Sequence, residues 1–392
     1  MRLLFLTSRL PCPPNRGDRL RTFHLLRLLG QEHELTLLSF VTSKAEAERG
    51  RELAAYCPDM HFIVRSKLRS TVTAFANIWR RQPLQALYYR SSEMQHRLDG
   101  LLASQKFDAA YVHLFRMAPY VEGKTDLYRI IDLTDMISLE IAESLPYRTA
   151  ISRFIYRFEL PRIVSYERQL AGWADETWLI GARDKNMLAE EQPAANLQVV
   201  PNGVDLARFY PDKQGSDTER LVFVGHLDVF HNIDAVNFLL DDILPLVRQK
   251  IPDTTLDIIG PGTGVTTTRG SPKGIRVRGF VPELNQALNQ AAVFIAPLRF
   301  SAGVQNKVLE AMAAGLPVVT TGNVNAGLGA RPDHDLLVGD TATELATGII
   351  TLLEDAPMRE RIGKAGRGFV KQRFSWQVAV DRVACISSSR PV

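Results

Sequence analysis

Apolar residues along this chain fall into short continuous runs, rich in β-branched side chains, separated by longer segments in which apolar positions recur at helical spacing. The first half holds "RLLFLTS", "ELTLLSF", "HFIVR", "AAYVHL", "LYRIIDL" and "ETWLI"; the second holds "RLVFVG", "TLDIIG", "IRVRG", "VFIAPL", "PVVTT" and "DLLVG". Runs without polar alternation suit parallel strands covered on both faces. The pattern therefore predicts an α/β protein of two doubly wound halves. Between the two series, "LQVVPNGVDLARFYPDKQGSDTERLVFVGH" carries a turn at Pro201, Asn202 and Gly203 and an aperiodic polar stretch over 211–219. The boundaries expected are 1–205 and 206–372, with a C-terminal helix over 373–392, apolar at Trp376, Val380 and Val383, returning to the first domain. In open α/β sheets ligands bind beyond the carboxyl ends of the strands, so two halves facing across a cleft would line it with strand-to-helix loops.

Length and composition narrow the classes. At about 150 residues per domain, 392 residues make two or three domains. A net charge of +4 from 47 basic and 43 acidic residues argues against a nucleic-acid binder. The charge is unevenly placed, with 16 Lys or Arg against 9 Asp or Glu in residues 1–100 and 20 of each in residues 201–392. Cys12, Cys57 and Cys385 have no paired spacing, so neither a disulfide framework nor a zinc site is expected, and a reducing cytoplasm is. No stretch reaches the ~18 apolar residues of a membrane span, which leaves a soluble or peripheral protein.

Candidate chemistry lies after the strands. In "RLPCPPNRGDRLRTFHLL", Gly17 lets backbone N–H groups meet an anion at a helix start, and Arg16, Arg19 and Arg21 add positive charge. A turn glycine among solvated arginines reads the loop equally well. In "VGHLDVFHNIDAVNFLL", Gly225 ends a strand, His226 and His231 fall in the following loop, and a helix is expected from about Asn232 with that residue as its cap. "GPGTG" at 260–264 is a turn, because the loop-like "VTTTRGSPKG" follows it rather than a helix. In "VFIAPLRFSAGVQNKVLEAMAAGLPVV", a loop through Gly303, Val304 and Gln305 leads into a helix opening at Asn306 and Lys307. Free N–H groups and the Lys307 ammonium suit a phosphate, and Glu310, one turn on, suits the hydroxyls of a ribose. Alone, Lys307 and Glu310 read as an ordinary i, i+3 surface pair.

The combination of "VPNGVD", "FVG", "VRGFVPEL" and "GVQNKVLEAMAAGLPVV" on two α/β halves resembles the retaining GT-B glycosyltransferases of family 4, also called group 1. "PPNRGDRLRTFHLL", "IDLTDM" and "GVQNKVLEAMA" resemble the branch associated with exopolysaccharide and PEP-CTERM/exosortase systems. The resemblance implies a GT-B fold and transfer of a sugar from a nucleotide diphosphate sugar to a hydroxyl, with the anomeric configuration kept and no cofactor or metal. It gives Glu310 the role of the second glutamate of an E-x7-E motif, on the ribose; the first falls on Ala302, a departure that touches the sugar contacts. Gly17, Gly225, His226, Gly303, Val304, Gln305, Asn306, Lys307 and Glu310 would bind the donor. Lys307 would supply the diphosphate charge that the family often places where His226 stands. Asp132, Lys307 and His113 would serve catalysis, His113 also reading as a core histidine. Arg16, Arg21 and Asp135 would serve the acceptor, with helix capping the alternative for Asp135.

Residues 65–97 hold seven Arg or Lys, one acid (Glu93), and the aromatics Phe75, Trp79, Tyr88 and Tyr89. Such a segment suits an anionic membrane surface presenting a glycan or lipid-linked acceptor, on the cytoplasmic face of the plasma membrane; a solvated face with its aromatics in the core is the competing description. Two other functions fit the same architecture: a nucleotide-sugar 2-epimerase, and a non-catalytic scaffold for polysaccharide assembly.

Overall fold

The computed structural model describes residues 1–14, 17–212, 217–264, 273–379 and 381. The chain divides into two compact units, one from Met1 to Pro201, to which Asp381 also belongs, and one from Asn202 to Ala379.

The first unit is a seven-stranded parallel sheet of β1 (Arg2–Thr7), β2 (Glu34–Val41), β3 (Asp59–Val64), β4 (Ala109–His113), β5 (Tyr128–Thr134), β6 (Glu176–Leu179) and β7 (Leu197–Val199), in the order β3-β2-β1-β4-β5-β6-β7. The second has six strands, β8 (Arg220–Val224), β9 (Thr255–Ile259), β10 (Ile275–Gly279), β11 (Val293–Ala296), β12 (Val318–Thr320) and β13 (Leu337–Val338), in the order β10-β9-β8-β11-β12-β13. Each apolar run of the sequence is one of these strands. The additional strand, β7, has three residues and ends two positions before Pro201.

The continuous apolar runs follow from burial on both faces. In β1, Leu4 and Leu6 pack into one core with Phe40, Val112 and Ile131. Phe5 between them packs into another with Leu37, Tyr111 and Trp178. In both sheets the winding direction reverses beside the first strand, between β1 and β4 and between β8 and β11. Loops on either side of such a reversal diverge and leave a crevice, so each unit's ligand position is set by topology.

The C-terminal segment is divided between the units, with Asp381 grouped with the first. Trp376 is buried in the second unit, where an added Cβ at Gly203 would lie 2.5 Å from its ring, and Val204 bridges to Ser375. Val380 and residues 382–392 lie outside the described residues.

Candidate functional site

In the second unit the reversal point is formed by the loops after β8 and β11. Strand β8 runs into Gly225, whose N–H donates to Ile259 O at 2.9 Å. Gly260, at φ 145°, comes so close that a Cβ on it would lie 1.8 Å from Gly225 O. The 260–264 turn folds onto this loop: Leu227 N–H donates to Pro261 O, and Asp228 accepts from the N–H groups of Thr263 and Gly264. The "GPGTG" glycines thus pack backbone on backbone.

His226 follows Gly225 and is half-buried, its Nδ1 accepting from the Asp228 N–H at 3.4 Å. Two expectations need correction here. The helix begins at Phe230, behind Val229, so His231 lies in its first turn and not in the loop. Asn232 is consequently inside the helix and buried, with a different task from capping. Its Nδ2 donates to His226 O at 3.0 Å, while its Oδ1 accepts from Lys307 Nζ. One amide therefore ties the β8 loop to the lysine of another helix. The Lys307 ammonium also sits 5.2 Å from the centroid of the Phe223 ring.

Beyond β11 the chain passes through Pro297 to Gln305 into the helix Asn306–Ala313. Arg299 grips Asp234 with two hydrogen bonds, Nε to Oδ2 at 2.9 Å and Nη2 to Oδ1 at 2.5 Å. Gly303 has φ 61°, which an L-side chain resists, and its carbonyl fits against Gly327, where a Cβ would lie 2.0 Å away. Ser301, Ala302 and Val304 are buried, and the side chain of Ala302 is a methyl group with no acceptor where the resemblance places a first glutamate. No side chain caps the helix: Gln305 directs its amide to Ala302 O, and Asn306 accepts from Asn202. The helix start therefore presents backbone donors beside an orientated ammonium.

Glu310 stands one turn further along this helix, half-buried, and burial pushes its carboxyl up to about 7 against the opposing pull of Arg208. It forms no ion pair with Lys307, which turns to Asn232 instead. The two residues are thus not a surface salt bridge. Gly225, His226, Gly303, Val304, Gln305, Asn306, Lys307 and Glu310 all belong to these two loops and this helix. Asn232, Asn202 and Arg299 join them here, and sequence reasoning had given none of these three a ligand-site role; an asparagine three positions into a helix and an arginine after a strand are weak signals taken singly.

The first unit brings together a different set. Arg21 and Asp132 are fully buried and paired, Nε to Oδ2 at 2.5 Å. Tyr111 Oη donates to the same oxygen at 2.5 Å, and Thr134 N–H to Oδ1 at 2.9 Å. Arg21 Nη1 also donates to Val200 O at 2.8 Å. Both were expected to meet substrate; enclosed as they are, they instead tie the helix Gly17–Leu29 to β5 and to the end of β7. Burial raises the Tyr111 hydroxyl well above its ordinary range, so it stays a donor to Asp132. His113 is buried at the end of β4, its ring stacked on Tyr111 at 6.3 Å, in keeping with a core histidine. Asp135 does not cap: the helix Ile137–Ser144 starts behind Met136. Its half-buried carboxyl is held well above the usual carboxylate range by desolvation and by Asp184. Gly17 opens its helix and is exposed, Arg19 pairs with Glu46 at 2.8 Å, and Arg16 lies outside the described residues. Among the described residues no group of His, Cys, Asp or Glu is placed to hold a metal ion.

Two parallel Rossmann-like sheets with reversal-point loops of this kind define the GT-B fold. Sucrose-phosphate synthase of Thermosynechococcus elongatus superposes with a TM-score of 0.73 at 14% identity, covering 99% of each chain. Residues 218–355, which lie within the second unit, match the family model "Glycosyl transferases group 1". A phosphatidyl-myo-inositol mannosyltransferase of Propionibacterium freudenreichii is 29% identical over 65% of this chain and 64% of its own. A GDP-mannose-dependent monoacylated alpha-(1-6)-phosphatidylinositol monomannoside mannosyltransferase of Corynebacterium glutamicum is 27% identical over 49% of this chain and 56% of its own. The chain thus spans between half and two thirds of the length of these curated relatives.

Proposed function

We propose that this protein is a hexosyltransferase that moves a sugar from a nucleotide diphosphate sugar to a hydroxyl of a glycan or lipid-linked acceptor, with the anomeric configuration kept, in cell-surface glycan or exopolysaccharide synthesis. The observation that carries this is the constellation of Lys307, held by Asn232, at the uncapped start of the helix Asn306–Ala313, with Glu310 one turn on. A diphosphate would lie against the helix N-terminus and the ammonium, and a ribose diol would donate to Glu310. As the glycosidic bond to phosphate breaks, negative charge grows on the leaving diphosphate, and these fixed donors stabilise it without reorganising. The ring left behind has oxocarbenium character, and the acceptor hydroxyl attacks from the face the diphosphate leaves, its proton passing to the departing phosphate oxygen. No covalent nucleophile, cofactor or metal enters this scheme.

The two relatives named above are mannosyltransferases with phosphatidylinositol-type names, which supports a lipid-linked acceptor and makes GDP-mannose the first donor to try. Such an acceptor would be met at the inner face of the plasma membrane. The test is thermal unfolding with a panel of nucleoside diphosphates and their sugars, followed by product analysis with and without acceptor. One nucleotide should raise the midpoint selectively, in a manner lost on Glu310→Ala. Donor turnover without acceptor that yields a 2-epimer, or no response to any nucleotide, would overturn the proposal.

A further inference from the structure

Ten of the sixteen exposed large apolar residues among the described residues belong to two segments of the first unit. Leu68, Val72 and Phe75 share one face of the helix Lys67–Ala76, and Ile78 and Trp79 continue it. Ile151, Phe154, Ile155 and Phe158 line the start of the helix Ala150–Trp173, with Tyr147 just before it. That helix has every one of its buried positions from Glu159 onward, so its first nine residues project from the core. The segments are joined: Arg162 Nη2 donates to Ile78 O at 3.0 Å, and Leu84 N–H to Glu159 Oε2 at 2.8 Å. Phe75 and Trp79 are 67% and 74% exposed, Ile151 and Phe154 78% and 76%. These are large side chains at spacings that ordinarily face a core.

The charge around them has one sign. Residues 65–82 and 145–162 carry nine Arg or Lys and a single acid, Glu159, which is buried and satisfied by Leu84 and Arg162. Lys67, Arg69, Arg80, Arg81 and Arg157 are exposed. A protein partner for so cationic an apolar face would need a matching acidic rim around a hydrophobic centre; an anionic bilayer offers both at every point of its surface. We infer that these two segments form one membrane-docking surface, which lies in the headgroup region of an anionic bilayer with Phe75, Trp79, Phe154 and Phe158 in the acyl boundary and the basic side chains on lipid phosphates. It lies on the membrane and does not span it, since no helix among the described residues is long and apolar enough to cross. The surface differs from the one anticipated over 65–97. Tyr89 is buried and Tyr88 half-buried, with Arg65 over both rings at 4.6 and 4.7 Å, while half of the apolar face comes from residues 147–158.

The experiment is co-sedimentation of the full chain, without donor, with vesicles of phosphatidylcholine alone or containing 30% phosphatidylglycerol, alongside its oligomeric state by light scattering. The anionic vesicles should retain the protein at low salt, less so at about 0.5 M salt, where charge is screened within about 4 Å. Trp79 is the one exposed tryptophan of four, so its emission should shift to the blue on binding; Trp79→Phe should keep the binding and lose that shift. The triple substitution Phe75→Ser, Trp79→Ser, Phe154→Ser should lower the partition coefficient about a hundredfold or more, with thermal unfolding unchanged. Equal binding by that variant, no binding of the wild type, or a dimer that the triple substitution dissociates would overturn the inference, the last assigning the face to a second copy of the chain. Because no donor is present, none of these outcomes bears on the nucleotide response by which the transferase proposal stands or falls.

Discussion

Glu310→Gln should separate what this carboxyl does for the fold from what it does for a ligand. Burial raises it from its ordinary 4.5 to about 7, a displacement worth about 3 kcal/mol at about 1.4 kcal/mol per pH unit. Partial exposure lowers the expectation to about 2 kcal/mol. The folded carboxyl holds its proton more tightly than the unfolded one. Its full contribution to stability is therefore present below pH 4.5 and is lost as pH rises through about 7. Glutamine is neutral throughout and escapes that loss. The variant should match the wild type near pH 4.5 and exceed it at pH 8, by roughly 4–8 °C in the midpoint of a unit of this size. Donor binding should move the opposite way, because only the ionised carboxylate accepts from both ribose hydroxyls. Wild-type affinity should fall about tenfold from pH 8 to pH 6, and the variant should bind weakly at both. Differential scanning and nucleotide titration across pH 4.5–8 measure both. A variant less stable than the wild type at pH 8, or a difference independent of pH, would refute the reasoning, since it would mean the ionised carboxylate is already compensated in the free protein.

Lys307→Ala should weaken binding of the preferred nucleoside diphosphate about 10- to 150-fold, the worth of one hydrogen bond to a charged group, by calorimetry; unchanged affinity would remove Lys307 from the donor site. Asp132→Ala should cost about 3–5 kcal/mol in chemical denaturation, because it leaves Arg21 buried beside a hydroxyl that no longer has its acceptor. Gly260→Ala should destabilise the second unit, since the added methyl would meet Gly225 O at 1.8 Å and the φ of 145° resists a side chain; a thermal midpoint within 1 °C of wild type, a margin set at about the scatter of such scans, would contradict the packing described.

Most strands were legible because both faces of the sheet are covered along them, which writes a nearly unbroken apolar run into each; the edge strand β10, with Arg276 and Arg278 in it and mostly exposed, is the exception. Strand β7 escaped notice since three residues beside a proline turn carry no period. The reversal-point loops were legible too, as glycines, prolines and polar residues follow the runs directly. What local pattern could not show was where side chains point. Arg21 and Asp132 are 111 residues apart and look like cleft residues until β5 and the first helix place them inside. Aromatic residues between 75 and 89 read alike in sequence, yet Trp79 faces outward and Tyr89 inward. The helix beginning at Ala150 has ordinary amphipathic spacing, and only the absence of a core beneath its first turns gives it another meaning.

The amide of Asn232 has a consequence for charge. A carboxylate in its place would hold Lys307 at least as firmly, but it would cancel the field of the ammonium and could not donate to His226 O, leaving that carbonyl to the Val229 N–H. An alcohol would be too short to span the two groups. The amide alone supplies an acceptor at one end and a donor at the other while carrying no net charge. It aims a cation with a dipole, so the orientation is obtained and the amide itself takes nothing from the electrostatic pull of Lys307 on an incoming anion.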